Sequence, residues 1–469
     1  MKKIVFLPVI SIFLFLTSQS AFASGDLQKS AKHWKAGVAR IDITPQVPMV
    51  MSGYAGRDSA CVKKLHSLWA KALAFEDAGN HRVVLVTMDL AFLTRTMSDT
   101  IKNRIKRKYN LDQSQVILSW SHTHTGPLVR AEDFYDFLNT PPEEIAKVED
   151  YSDKLEDKLV NIAGKALETM VPVRVFSGNG VARFAVNRRN NVESTLNPST
   201  QLSGPVDHSV PVIKVTTTSG EMLAVVFGYA CHATTLNGYQ WSGDYPGFAQ
   251  IYLEQTFPGT TAMFFAGSGA DQNPLPRRTV GLARQYGKTL AAAVEAKISE
   301  PMHELEPAIV SKYTEINLPY TTLPTRAELE KSAAESSNYK KKWASRVLAN
   351  LERDKTLPAG YPHYPVQIWR LGDQNLVALG GEVVVDYSLR LKQIMGQDIF
   401  VMSYANDEVY YIPSTRVLRE GGYEGVDVLI YGHRPSTWKA NIESLIIQGT
   451  LELAEQAGIE LPESKLTVN

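Results

Sequence analysis

Short apolar runs, many of them β-branched, alternate along this chain with longer stretches whose apolar positions follow a helical period. The runs at 38–44, 82–90, 116–121, 210–216, 222–230, 262–266, 366–371, 376–379 and 398–403 predict strands. The stretches at 97–109, 153–169, 246–255, 280–297, 384–395 and 435–457 predict helices. Strands interleaved with helices predict an α/β fold, one large domain with a central β-sheet flanked by helices. Runs 173–176 and 210–216 have no helix between them, so the sheet is mixed, because a parallel pair needs a long crossover. The stretch 324–355 stands apart, dense in Lys, Glu, Ala and Ser at a helical period, and opens with Thr325 and Glu328 in capping-box spacing. It predicts a solvated helical excursion; a lid over the site is the alternative reading. No internal repeat or low-complexity linker interrupts the pattern.

The amino terminus departs from that pattern. Met1-Lys2-Lys3 precedes an apolar run over 4–16, too short to span a bilayer, and Ala21-Phe22-Ala23 offers the small residues a signal peptidase reads. Residues 1–23 are therefore expected to be a signal peptide and 24–469 the exported, periplasmic or secreted protein. No cysteine at the cleavage point invites a lipid anchor, and no later run is long enough to be a transmembrane segment.

Composition narrows the partners. Lys plus Arg and Asp plus Glu both number 49, so no overall field draws in nucleic acid or an anionic membrane. The expected partner is a small-molecule or envelope-derived substrate, and the oligomeric state stays open. Cys61 and Cys231 are the only cysteines, which excludes a disulfide scaffold and a cysteine-rich zinc site. The two can pair in an oxidising compartment, although Cys231, inside an apolar run, reads as a small buried hydrophobe.

Candidate chemistry gathers where apolar runs end. Ser119-Trp120-Ser121-His122-Thr123-His124-Thr125-Gly126-Pro127 closes one predicted strand, and the period-2 alternation of a strand puts His122 and His124 on one side. A second strand ends at Cys231-His232, giving a third imidazole; the following Asp244 reads as a helix cap or a supporting group. A third runs into Gly267-Ser268-Gly269-Ala270-Asp271-Gln272-Asn273-Pro274, which fits neither a dinucleotide fingerprint nor a P-loop and leaves Asp271 and Asn273 to face the site or neighbouring loops. Ser268 does not sit in a nucleophile elbow. Glu382 follows Gly380-Gly381 at another strand end and is expected to start a helix whose dipole favours its ionised form. Imidazoles with one carboxylate and a position left for water or a phenol describe a catalytic rather than a structural zinc centre.

Taken together, these segments resemble the catalytic domain of the neutral (alkaline, non-lysosomal) ceramidases, which are zinc amidases. The resemblance runs from about residue 35 to residue 456 and rests on Gly37-Val38-Ala39-Arg40-Ile41-Asp42-Ile43-Thr44-Pro45, Met51-Ser52-Gly53-Tyr54, Asn187-Arg188-Arg189 and the His-Thr-His-Thr-Gly-Pro run ending at Pro127. It implies a ceramidase-like fold, Zn²⁺ as cofactor with His122, His232, Glu382 and Tyr411 as ligands, and His124 as a catalytic neighbour of the metal. Tyr410 is the alternative to Tyr411. Two departures qualify it. The family's catalytic serine position carries Asn273, which closes the serine route and leaves metal-activated water as nucleophile, with Asn273 as a hydrogen-bond donor to a carbonyl oxygen or oxyanion. The immunoglobulin-like C-terminal domain of the family is also not expected.

The reading is an exported zinc-dependent hydrolase that cleaves an N-acyl amide bond, with Arg188 and Asp271 as candidate substrate-binding residues. Its alternatives are a carbohydrate-active or ester hydrolase on the same zinc site and a non-catalytic binding protein on this scaffold.

Overall fold

A nine-stranded mixed sheet carries the first half of the chain. The computed structural model describes Met1 and residues 33–461, apart from 132–134, 136–139, 337 and 429–433. The expected signal segment beyond Met1 lies outside the described residues. From one edge the strands run Thr261–Ala266, Met222–Tyr229, Ser209–Thr217, Val171–Val181, Trp34–Asp42, Trp69–Glu76, Arg82–Met88 and Val116–Trp120, with His303–Glu304 beside Val171–Val181. The outermost pair at each end is parallel and the pairs between are antiparallel.

A four-stranded sheet, Ile309–Pro319, Gly360–Leu371, Gln374–Leu379 and Phe400–Met402, packs against one face of the first. Trp34, Phe75, Ile213 and Phe265 of the large sheet meet Trp369, Leu376 and Phe400 of the small one in a single buried cluster. Helices Arg95–Tyr109, Pro142–Glu168, Asp244–Thr256 and Val280–Ser299 accompany the other face of the large sheet, while Val385–Met395 and Ile442–Gln456 pack with the small sheet. The domain is thus an α/β fold with a large mixed sheet flanked by helices, and the second sheet makes four layers of it.

Predicted and observed elements differ where local pattern and packing conflict. Trp69–Glu76 lies next to the sheet centre but reads as alanine-rich, a composition that favours helix. Its Ala70, Ala72 and Ala74 serve the helix-side core and its Leu73 and Phe75 the inter-sheet core, so burial on both faces makes it a strand. Ile309–Pro319 is half-buried along most of its length and has no apolar run to announce it. Residues 435–441, expected to be helical, instead bridge Trp438 to Tyr320, and the helix begins only at Ile442. The excursion is two helices, Arg326–Glu335 and Asn338–Asp354, with the predicted Thr325/Glu328 capping box present and a small core of Leu329, Ala344 and Val347. Cys61 and Cys231 are separate buried thiols. No helix among the described residues is long and apolar enough to cross a membrane.

The two edges of the large sheet meet one segment. Ser403 N–H donates to Ala266 O on one edge (2.9 Å), while Trp120 N–H donates to Tyr404 O (3.2 Å) and Asn406 N–H to Leu118 O (2.8 Å) on the other. Residues 403–406 therefore close the curled sheet, and the polar loops leaving both edges converge there.

Candidate metal centre

His122 follows the edge strand Val116–Trp120. That strand has already ended, and His122 sits at φ 57°, so a continued pleat is not what aligns it with His124. The alternation survives in a different form: the Thr123 and Thr125 hydroxyls both donate to Ser242 O at 2.7 Å, which turns His122 and His124 the other way. Gly53, at φ 97°, lets the His124 ring pack against the backbone, because a Cβ there would lie 2.4 Å from His124 Cγ. His232 leaves the strand Met222–Tyr229, its N–H donating to Gln272 O at 3.0 Å.

Glu382 does not start a helix as expected. It pairs in parallel with Tyr411 in a two-residue ladder, Glu382–Val383 with Tyr411–Ile412, and the helix begins at Val385. The ladder sets the carboxylate and the phenol side by side. Gly381 at φ 72° allows the entry, since a Cβ there would meet Tyr410 O at 2.5 Å. Tyr411 rather than Tyr410 reaches the imidazoles: its hydroxyl lies 3.2 Å from His232 Nε2 and accepts from Arg188 at 2.9 Å.

One ligand atom from each of His122, His124 and His232 lies within 4.8 Å of the others, the one such histidine group among the described residues. His122 and His232 are held alike, Nδ1–H donating to Ala91 O and to Gly269 O respectively, both at 2.8 Å. That fixes the tautomer and aims both Nε2 lone pairs inward. Glu382 Oε2 stands 3.2 Å from each of those nitrogens and has no hydrogen-bond donor of its own. Lone pairs and a carboxylate oxygen converging in a buried place repel unless a cation lies among them. A tetrahedral zinc with bonds of about 2.0–2.1 Å holds its ligand atoms roughly 3.3 Å apart, close to the spacing found. His124 differs from its neighbours: its Nε2 is 3.0 Å from His122 Nε2, but its Nδ1 is buried without any partner.

The electrostatics match this division. Burial, reinforced by His122 and His232, keeps the His124 imidazole neutral far below its ordinary range. Burial and then Arg188 bring His232 down to about 4. Burial alone would raise the Glu382 carboxyl, yet His122 and His232 outweigh it and hold the group ionised well below the ordinary range. Burial pushes the Tyr411 phenol up while Arg188 pulls it down.

The remaining expected residues lie behind this group. Arg188 does not offer a free guanidinium to substrate: Nε donates to Glu424 at 2.7 Å and another nitrogen to Tyr411. Asp271 is fully buried, its oxygens accepting from Val385 N–H and the Asn187 amide at 2.9 Å each, so it braces the loops rather than touching substrate. Asn273 Oδ1 accepts from Thr234 at 3.2 Å; the residue lines an adjoining hollow with Arg188, not the cavity of the histidines. Asp244 is buried, accepting from Leu236 N–H and Tyr245 N–H, a supporting group as expected.

That cavity, of about 260 Å³, has Met51, Phe92, Leu128 and Val428 on its apolar wall and Tyr54 and Glu408 among its polar groups. A larger open hollow of about 650 Å³ near Lys297 and Asp398 has no convergent ligand set among the described residues. Tyr404, tilted against His122 with ring centroids 4.6 Å apart, and Glu424, the anchor of Arg188, were not anticipated from the sequence. The signal available for Tyr404 was its place at the end of a predicted strand.

Residues 34–297 match the family profile described as neutral/alkaline non-lysosomal ceramidase, N-terminal. A neutral ceramidase of Pseudomonas aeruginosa is 25% identical over 322 residues, covering 63% of this chain and 46% of that protein. Neutral ceramidase 1 of Arabidopsis thaliana is 23% identical over 282 residues, 58% of this chain and 36% of its own length. The chain thus matches less than half the length of these relatives. The crystal structure of the Pseudomonas aeruginosa enzyme superposes with a TM-score of 0.71 at 19% identity, over 92% of this chain and 76% of that one.

Proposed function

The chain belongs to the neutral/alkaline non-lysosomal ceramidase family, and on that premise we propose that it is a zinc-dependent hydrolase of N-acyl amide bonds. The observation that carries the reading is the inward convergence of the His122 and His232 lone pairs on Glu382 Oε2, a buried oxygen without a donor. His122, His232, Glu382 and Tyr411 would hold the ion. When bound, it supplies Lewis-acid polarisation of the amide carbonyl and acidifies a water at neutral pH.

The protein's own groups do the rest. Ala91 O and Gly269 O orient two imidazoles, and Arg188 and Glu424 fix the Tyr411 hydroxyl. Hydrolysis breaks the C–N bond, joins a water oxygen to the acyl carbon and delivers a proton to the departing nitrogen. His124, neutral and unpinned at Nδ1, is the group free to pass that proton. The apolar wall of Phe92, Leu128 and Met51 takes the acyl chain, consistent with an N-acylated lipid amine of the kind the relatives' names imply. The basic head and apolar run at the amino terminus support export.

Metal analysis beside an acyl-release screen of N-acyl lipids, N-acetylated sugars and esters tests the reading. About one zinc per chain and amide cleavage abolished in His122→Ala are expected. Full activity in metal-stripped protein would refute it, and ligand binding with no turnover of any compound would favour the non-catalytic alternative.

A further inference from the structure

Behind one residue of the cavity's lining, Tyr54, lie two guanidinium groups that do not themselves line the cavity and, among the described residues, form no ion pair. Tyr54 lines the cavity and meets His124 edge-on, with ring centroids 4.8 Å apart. Two guanidinium groups lie against the same tyrosine ring, Arg57 at 4.9 Å and Arg278 at 5.6 Å from its centroid. Arg278 also donates to the Tyr54 hydroxyl at 3.0 Å. Among the described residues neither arginine has an ion pair with a carboxylate, whereas the adjacent Arg277 is paired with Glu193.

The two unpaired arginines differ in what they can do. Arg57 is tied down, donating to Ser52 O and Gly238 O, and its Nε is buried without a partner. Burial lowers its pKa to about 10, the mark of a cation withdrawn from water with no anion beside it. Arg278 is exposed, and its backbone is held at φ 87°, a left-handed conformation unusual for arginine. The helix Val280–Ser299 begins just after it, adding the positive end of its dipole. Charges over the whole chain balance at 49 to 49, so this surplus is local.

Position decides which part of a substrate would meet it. Resting on the proposed function, His124 serves the departing amine, and Tyr54 extends from His124 to Arg278. The acyl chain lies toward Phe92 and Leu128. We propose that Arg278, backed by Arg57, binds an anionic group on the amine half of the substrate. The preferred substrate is then an N-acylated amine bearing a carboxylate, sulfonate or phosphate a short distance from the amide nitrogen. This is the anion recognition that Arg188, committed to Glu424 and Tyr411, does not offer.

The test uses the full chain loaded with zinc and two compounds matched in acyl chain, N-lauroylglycine and N-lauroylethanolamine. Both kcat/KM and, by calorimetry, Kd are measured for wild type, Arg278→Gln and Arg278→Glu, with melting temperatures to establish folding. Wild type should favour the glycine conjugate. Arg278→Gln should reduce that preference about tenfold, mainly through KM, as expected for loss of one charge-assisted hydrogen bond. Arg278→Glu should reverse it, and salt at about 0.5 M should shrink it. Equal preference in all three folded proteins, in Kd as in kcat/KM, overturns the inference. Absent turnover with the Kd preference intact would sink the hydrolase reading and leave this one standing. Inorganic phosphate that competes equally with both lipids would identify a free-anion site instead and also overturn it.

Discussion

The two halves of the centre are built by different means. His122 and His232 leave strands of the large sheet, and each imidazole is aimed by a single backbone carbonyl, Ala91 O or Gly269 O. Glu382 and Tyr411 come from the side of the small sheet, on a ladder only two residues long, and depend on side chains for support: Arg188 and Glu424 for the phenol, Asp271 for the turn into Val385. The residues leading to Tyr411 are contorted as well, with Tyr404, Asn406 and Tyr410 at φ 53°, 65° and 57°. A half aimed by backbone resists side-chain substitution around it. The other half fails through its supports, and that difference can be measured.

Removing a ligand should erase the difference. His232→Ala and Glu382→Ala are both expected to fall from about one zinc per chain to none and to lose acyl release altogether, because two imidazoles and one carboxylate are the minimum of a catalytic site. Zinc content by mass spectrometry and product release by chromatography decide it. Zinc retained in Glu382→Ala would mean that the imidazoles, His124 included, bind metal without the second half.

Next in size is the contact that joins the halves. Asp207, just before the large-sheet strand Ser209–Thr217, pairs with Lys392 of the helix Val385–Met395 at 2.6 Å, both side chains buried. Asp207→Asn leaves Lys392 uncompensated and should cost about 3–5 kcal/mol. Burial would raise the Asp207 carboxyl, but Lys392 and hydrogen bonds from Lys392, Ser388 and Ser209 bring it below its ordinary 3.8. A depressed carboxylate contributes stability that is fully present above its unfolded value and is lost as pH falls through the folded one. The gap in melting temperature between wild type and variant should therefore hold at neutral pH and shrink below 3.8. A gap independent of pH down to acid unfolding would assign the cost to packing instead.

The supports come third. Arg188→Met removes the donor to the Tyr411 hydroxyl and should weaken zinc binding about 10- to 100-fold, read by competition with a chelator, with Arg188→Lys recovering part of it. Unchanged zinc affinity would show that the phenol holds its place without the arginine.

The same contrast explains what could be read in the chain itself. His122 and His232 were legible because each follows an apolar run, and the strand Val116–Trp120 differs from expectation by one residue. Glu382 was reached from its place after Gly380-Gly381 at a strand end, whereas Tyr411 was reached only through a family resemblance, since a two-residue ladder leaves no periodicity. Arg188 and Asp271 were expected to bind substrate; in the structure they pair with Glu424 and with Val385 N–H, partners over a hundred positions away that the sequence does not bring to mind, so bracing and substrate contact looked alike. In the fold, Trp69–Glu76 was hidden by alanines chosen for burial on both faces, and Ile309–Pro319 by its half-exposed polar residues.

The smallest effect separates the excursion from both halves. Thr325 caps Arg326–Glu335 through a reciprocal capping box with Glu328, at 2.7 Å from Thr325 N–H to the carboxylate. Its loss in Thr325→Ala should lower stability by about 1 kcal/mol, confined to a helix pair that has its own small core. One contact between that pair and the segment beside the cavity is Trp343 Nε1–H donating to Arg434 O at 2.7 Å, while the Arg434 guanidinium stacks on Tyr410 and Trp438. Trp438 in turn donates to Tyr411 O at 3.0 Å. If the excursion is a solvated ornament, Thr325→Ala leaves KM and kcat within twofold of wild type. If it closes over the site through Trp343 and Arg434, loosening it raises KM for long acyl chains more than for short ones, and hydrogen exchange at Tyr410 and Tyr411 speeds up. The tryptophan hydrogen bond by itself carries at most about 1.5 kcal/mol of coupling, so a larger change in KM would call for further contacts between the excursion and the site.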